Sequence, residues 1–422
     1  MWHEATRRLQ DEGRVTMVGI IQEQHPDRAR LFMQWKQMGW PIMIDALNEL
    51  EVAVVPITMF IDQHGIIRAL RPPRRRITEA VQRFVDRRFD DPAQPATRPD
   101  PPIDSPIGSP TNLPSAPPTA PSKAPDLARL RAAARDGASC DWRTLGQALV
   151  NWGGSGAIDE AITAFETALG LEPEAKSGPT NFRLGVAYRR RYDSARRRPE
   201  DFQQAVDHWS RALDSNPNQY IWRRRIQQYG PRLAKPYPFY DWVEQARVQI
   251  RARGETPYEL AVEPGAAELA RPQRRFSNAS DEASEPDPQR RIDSDRRGFI
   301  LAETVVVPAA VKAGSAVRVH LIFRPNDAID AHWNNEAEPM QMWVAHPPGW
   351  LIDRHLHTIP NADTAVSRET RAIEFELVVP ADAAAGTIMV GAYALYNVCE
   401  GVDGTCLYRR QEIRIPVKIG GS

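Results

Sequence analysis

Residues 90–125 place the strongest limit on what this chain can fold into. About a third of them are proline, and most of the rest are Ser, Thr, Ala and Asp. Such a stretch cannot bury enough apolar surface to offset its ordering entropy, so it reads as an extended spacer. A second stretch, residues 263–298, contains "RPQRRFSNASDEASEPDPQRRIDSDRRG". It is polar, mixed in charge and without hydrophobic period, and it reads as a polar disordered linker. The two linkers leave three blocks, 1–89, 126–262 and 299–420. With 422 residues the chain is too long for one core, so a multidomain protein is expected.

Bulk charge excludes some functions. Lys plus Arg and Asp plus Glu are equal at 54 each, and the pI is near 7.1. Nothing global steers the chain to nucleic acid or to an anionic membrane. The arginine runs at Arg74 to Arg76, Arg189 to Arg191 and Arg196 to Arg198 are expected on solvated helix faces and loops. No apolar run reaches the roughly 18 residues of a membrane span. "MWHEATRRLQDEG" has no apolar core of the kind a signal peptide needs. Among the three cysteines, Cys399 and Cys406 are close in sequence and Cys140 stands alone. One pair is too few for a disulfide scaffold, but a pair can be a redox site.

In the first block, "RVTMVGII" reads as a buried strand and "PDRARLFMQWKQMGW" as an amphipathic helix offering Ala29, Phe32, Met33, Trp35 and Trp40. "PIMID", "PITMFID" and "IIRAL" are short strands, and "ITEAVQRFVDRRF" closes the block as a helix. Alternating strands and helices predict an α/β unit with a mostly parallel sheet. Pro56 interrupts "VAVVPITMFIDQHGIIRAL" where a strand begins, although proline cannot donate to a ladder. Either the Val55–Pro56 bond is cis and the backbone beside it faces something else, or Pro56 is an edge-strand proline. The order of elements around "VVPITMFIDQHGII" resembles the thioredoxin superfamily, in its TlpA-like and peroxiredoxin-like branch. That resemblance implies a cis proline facing a Cys-x-x-Cys pair, with Val55 and Pro56 docking a substrate peptide. No cysteine precedes Cys140. The resemblance therefore implies an incomplete thioredoxin-like domain whose missing strand and dithiol would lie upstream of Met1, or a decayed remnant. Trp2, His3, His25 and His64 do not form a substitute site; a lone histidine is expected to be exposed and passive.

The middle block repeats itself. In "WRTLGQALVNWGGSGAIDEAITAFETALGLEP", Leu145, Gly146 and Leu149 precede Ala161, Phe165, Ala168 and Pro173. Leu184, Gly185 and Tyr188 precede Ala205, Trp209, Ala212 and Pro217 in the same way. Small residues let two helices approach, an aromatic fills the gap, and proline ends the second helix. This resembles the tetratricopeptide pattern, with an insertion at "ARRRPED" and an irregular further pair after Tyr220. The resemblance implies an α-helical array binding a peptide or partner protein in a concave groove, with Leu145, Leu149 and Tyr188 as candidate contacts. The alternative is a rigid spacer.

From Phe299 the apolar pattern turns to period two, which predicts an all-β sandwich. "YNVCEGVDGTCLYRRQEIRIPVKI" reads as two strands around a loop, with Cys399 and Cys406 at its ends and Gly401 and Gly404 allowing the turn. The pair can be a redox-active couple, a stabilising disulfide or two free thiols. Loop-closure entropy values an eight-residue loop at about 2.5 kcal/mol, too little to require a purely structural role. "DAHWNNEAEPMQMWVAHPPGW" and "CEGVDGTCLYRRQEIRIPV" resemble the immunoglobulin-like N-terminal domain of the DsbD thiol–disulfide interchange family. The cysteine spacing here, Cys-x6-Cys, is one residue longer than that pattern. His332, His355 and His357 could be read as a metal set, but histidines in sandwich loops are more often hydrogen-bonded structure, and no metal or cofactor is assigned. Trp333, Trp343 and Trp350 are expected mostly in the core rather than along a carbohydrate- or peptide-binding face.

The resemblances together imply an extracytoplasmic, periplasmic-type thiol–disulfide redox protein with a protein thiol or disulfide as partner. Cys399 and Cys406 are its candidate exchanging pair. The alternative is a non-enzymatic adaptor in which the disulfide only braces a loop.

Overall fold

The computed structural model describes residues 2–72, 76–89, 124–232, 240–265, 268–269, 284–345, 347–401 and 404–420. The spacer expected over 90–125 lies almost wholly outside the described residues, as do His346, Arg74 and Arg75.

The first block contains helix α1 (Trp2–Asp11), strand β1 (Gly19–Ile21), α2 (Pro26–Lys36), β2 (Ile42–Ile44), β3 (Met59–Ile61), β4 (Ile67–Leu70) and α3 (Ile77–Asp86). Strands β1 and β2 pair in parallel, with Gly19 opposite Ile42. Strands β3 and β4 pair antiparallel, with a register shift after Phe60. These are two separate two-stranded sheets, not the single, mostly parallel sheet expected. The block also does not enclose one core of its own. Leu9, Ile77 and Val81 form a small cluster with Phe60. Leu31 and Trp35 of α2 instead pack on Val243, Ala246 and Ile250, and Ala46 and Leu47 belong to the core of the helical block.

The helical block runs through α4 (Leu127–Arg135), α5 (Ser139–Trp152), α6 (Ile158–Leu171), α7 (Gly178–Tyr192), α8 (Asp201–Ser215), α9 (Tyr220–Tyr229) and α10 (Trp242–Ala252). Asp126 caps α4 by accepting from the Ala128 and Arg129 amides. The repeated small residues sit where two helices touch. A Cβ on Gly146 would stand 2.8 Å from the Phe165 ring, and one on Gly185 would stand 2.5 Å from Trp209. Helices α6 and α8 stop just before Pro173 and Pro217. One arginine run departs from expectation, while Arg76, Arg196 and Arg198 are exposed as expected. Arg189 and Arg191 are buried. Arg191 donates to Asp201 at 2.6 Å and to Asp159 at 2.7 Å, while Arg189 lies over the Phe202 ring at 4.1 Å. Buried guanidinium groups persist here because each finds a carboxylate or an aromatic face.

The last block holds two antiparallel sheets across one core. One orders β5 (Ile300–Val307), β6 (Ala316–Pro325), β12 (Arg371–Val378) and β9 (Leu351–Ile352). The other contains β10 (Leu356–Ile359), β8 (Met340–Ala345), β13 (Gly386–Glu400), β7 (Ala331–Asn334) and β11 (Val366–Ser367), with β14 (Cys406–Ile419) on the far edge of β13. Inward residues alternate, as in Val390, Ala392, Ala394, Tyr396 and Val398. Trp333 and Trp350 are core. The outer face of the first sheet is also covered, since Val305, Val307 and Ile322 join the helical core. His320 there donates to Glu374 at 3.1 Å and to the Tyr229 carbonyl at 2.7 Å. Burial opposes ionisation of Glu374, but His320 and Arg318 outweigh it and hold its carboxyl well below the usual range.

The region expected as a disordered linker, 263–298, is ordered at both ends. Glu268 is buried and takes two bonds from Arg28, at 2.5 and 3.1 Å. Residues 284–298 run as a strap over β13 and β14. Asp287 accepts from the Arg291 amide at 2.8 Å and from Arg410 at 3.0 Å, and Tyr396 donates to Asp295 at 2.8 Å. Polar residues are fixed here because distant cations and amides satisfy them.

Candidate functional site

Long strands β13 and β14 carry the cysteines to one place. Fourteen residue pairs run in unbroken antiparallel register from Gly386 opposite Ile419 to Cys399 opposite Cys406. The last pair is a disulfide with Cα atoms 4.0 Å apart. Gly401 turns the chain at φ +64°, and its amide donates to the Asp330 carbonyl at 3.1 Å. A Cβ at Gly404 would run into the Glu400 carbonyl. Val402 and Asp403, at the tip, lie outside the described residues.

The two sulfur-bearing residues differ in access. Cys399 is 3 % exposed, whereas Cys406 is exposed. On the other side of β13 the partner of Cys399 is His332 of β7, which is 8 % exposed. Directly opposed residues of antiparallel strands present their side chains on one face. His332, Cys399 and Cys406 therefore form a row on the outer face of the sheet, while Trp333 and Val398 point inward. Ion pairs frame the row. Arg297 clasps Glu400 at 2.6 and 2.8 Å, and Arg368 pairs with Asp330. The sequence offered His332 only within a metal set. Among the described residues no group of metal-ligating side chains is assembled, His355 meets the Val344 carbonyl at 2.8 Å, and His357 packs on Phe375. Nothing local to "AHWN" announces its pairing with the end of β13.

The other candidates lie elsewhere. The Val55–Pro56 bond is cis, in the loop between β2 and β3, and Val54 and Val55 are exposed at 41 % and 49 %. Leu145 and Leu149 are core, at 2 % and 0 % exposed, and offer a partner no surface. Tyr188 donates to Glu166 at 2.6 Å and stacks on His208. The face that α5, α7 and α9 share is taken by the chain itself. Arg183 donates to the Leu47 carbonyl and to Glu51, Asn151 donates to Glu49 at 2.9 Å, and the Tyr220 amide donates to the Ala53 carbonyl at 3.0 Å. Residues 45–53 occupy the place where the tetratricopeptide resemblance expects a peptide.

Next to that contact is a buried polar junction. His25, expected exposed, is 5 % exposed and meets the Tyr229 hydroxyl at 3.1 Å. Burial and then the cations Arg189, Arg28 and Arg225 push its pKa far down, so it stays neutral. Tyr240 donates to Glu23, and Arg225 to Gln24. This cluster ties α2 to α9 and α10. An apolar cavity of about 340 Å³, lined by Ile21, Phe32, Met33, Met38, Ile42 and Trp242, opens beside it.

No protein-family model matches the chain, and no curated protein matches it. Solved structures give partial likenesses. The sporulation control protein Spo0M from Bacillus subtilis is 13 % identical over 30 % of this chain, with a TM-score of 0.16. The match spans about half of the Spo0M chain, at 51 %. AvmM, which catalyses macrocyclization in alchivemycin A biosynthesis, is 14 % identical over 29 % of this chain and 91 % of its own, with a TM-score of 0.16. The bacterial hydrophobin BslA is 15 % identical over 31 % and 98 %, with a TM-score of 0.16. Scores of this size carry no functional argument.

Proposed function

We propose that the chain is a thiol–disulfide redox protein whose exchanging bond is Cys399–Cys406. The observation that supports this most is the asymmetry of the bond: Cys406 is open to solvent and Cys399 is buried beside it. An incoming protein thiolate reaches the Cys406 sulfur, forms a mixed disulfide with it and expels the Cys399 thiolate. A second thiol on the partner then attacks the partner sulfur and releases Cys406, so the partner dithiol is oxidised as this bond is reduced. The resemblance of "CEGVDGTCLYRRQEIRIPV" to the DsbD N-terminal domain and of the cis-proline block to TlpA-like domains supports the same chemistry. It also supports an extracytoplasmic setting, where a disulfide persists. In this reading Val55 and Pro56 are a docking surface for a partner and the helical array is the frame between the two ends.

A second reading, a non-enzymatic adaptor, draws on the fixed contacts between blocks and on the short loop that the bond closes. Equilibration in thiol buffers of graded poise, read by thiol trapping, separates the two. A potential between about −120 and −270 mV places the bond with exchange catalysts, and one below about −300 mV makes it structural.

A further inference from the structure

The leaving sulfur has a neighbour that the exchange reaction can use. Cys399 stands between Cys406 on β14 and His332 on β7, opposed to both in register. Opposed side chains on one face put their Cβ atoms about 4.5–5.5 Å apart, close enough for an imidazole nitrogen to reach a thiolate. His332 and Cys399 are both under one-tenth exposed, so water competes poorly for either. The charged and titratable groups around the row are Glu400 with Arg297 at the end of β13, and Asp330 with Arg368 and Asp327 before β7. From β14 the residues on the row's face are Tyr408 and Arg410, the latter held by Asp287 of the strap and by Glu412. The arginines are each engaged by a carboxylate, Arg297 by Glu400, Arg368 by Asp330 and Arg410 by Asp287, which leaves His332 as the donor whose register position adjoins the leaving sulfur.

We propose that His332 stabilises the Cys399 thiolate that leaves when a partner thiolate attacks Cys406, by donating a ring N–H to it. This rests on the reading of Cys399–Cys406 as the exchanging bond. Atoms and electrons balance without a further reactant. The partner sulfur bonds to Cys406 Sγ, the electron pair of the broken bond passes to Cys399 Sγ, and His332 donates a hydrogen bond, or its proton when it is imidazolium. Low leaving-group pKa speeds exchange, so the residue acts on rate and not only on fold.

The test uses the full chain and two readouts. In the protein reduced with excess dithiothreitol, the Cys399 thiol is titrated by the pH dependence of alkylation, with Cys140→Ser and Cys406→Ala isolating it. His332→Gln is expected to raise that pKa by about 1–2 units. It is also expected to slow exchange of the oxidised chain (all cysteines except Cys140 retained) with glutathione by about 3- to 10-fold. An unchanged thiol pKa together with an unchanged rate overturns the inference. If His332→Gln does not fold, NMR titration of His332 in the otherwise unaltered protein decides. Its pKa must rise on reduction, over the range in which Cys399 ionises, and an identical titration in both redox states overturns it. A bond that resists glutathione while the reduced-state coupling is present removes the exchange reading alone. Exchange without that coupling removes His332 alone.

Discussion

The first block and the two-sheet block both contain apolar strands, yet they complete their cores in opposite ways. In the two-sheet block, β13 and β14 pair over fourteen residues, and core residues such as Val319, Phe375, Tyr396 and Ile415 come from within residues 299–420. In the first block the ladders are three or four residues long, and Ile20, Met43, Val55, Ile61 and Leu70 are 45 to 59 % exposed. Apart from the small cluster of Leu9, Ile77 and Val81, its buried apolar side chains borrow their neighbours from helices far along the chain. Composition does not separate the two blocks. What separates them is how many partners each strand finds nearby, which sets how much apolar surface leaves water.

Four measurements test that contrast. Trp333→Ala removes a side chain that is 0 % exposed and edge-on to Tyr396, and it should cost about 3–5 kcal/mol in denaturant titration, localised to the two-sheet block. Arg28→Ala leaves Glu268 buried and unpaired; it should cost about 3–5 kcal/mol and release α2 from α10, seen as faster hydrogen exchange in residues 26–36. An effect confined to the first block's small cluster would mean that the borrowed core is not needed. The helices that lend that core carry their own acid sensitivity. Burial and then Arg211 push His208 down to about 4, so the unfolded chain binds its proton first. That contribution is fully present above pH 6.5 and is lost as pH falls toward 4, by about 3 kcal/mol at most. His208→Gln should flatten the acid limb of the helical block in circular dichroism. The smallest effect is expected at the exposed strands. Ile61→Ser should change stability by no more than about 0.5 kcal/mol, and a larger loss would show that the side chain is covered in solution.

The sequence was most readable where structure is local. The cysteine hairpin follows from two flanking strands and two glycines, and the helix contacts at Gly146 and Gly185 follow from a repeated spacing. It was least readable where a polar residue is satisfied from afar. Nothing near Asp287 announces Arg410, and nothing near Arg28 announces Glu268, so both acidic residues read as part of a loose linker. The same blindness hid His25 and Arg189, whose burial depends on Tyr229 and Phe202. The helical inner face looked like a peptide groove because its future occupant, residues 45–53, lies about a hundred residues upstream of α5. His332 reads as one histidine among several until β7 is paired with β13.

The borrowed core also sets a timetable for synthesis. Residue 28 leaves the ribosome 240 residues ahead of Glu268, its partner. At about 5–20 residues per second, that gap is roughly ten to fifty seconds. For that interval Leu31, Trp35, Ala46 and Leu47 have been made and their helical partners are still being made. The nascent N-terminal segment must be shielded, or must wait partly open, until the helices arrive to receive it.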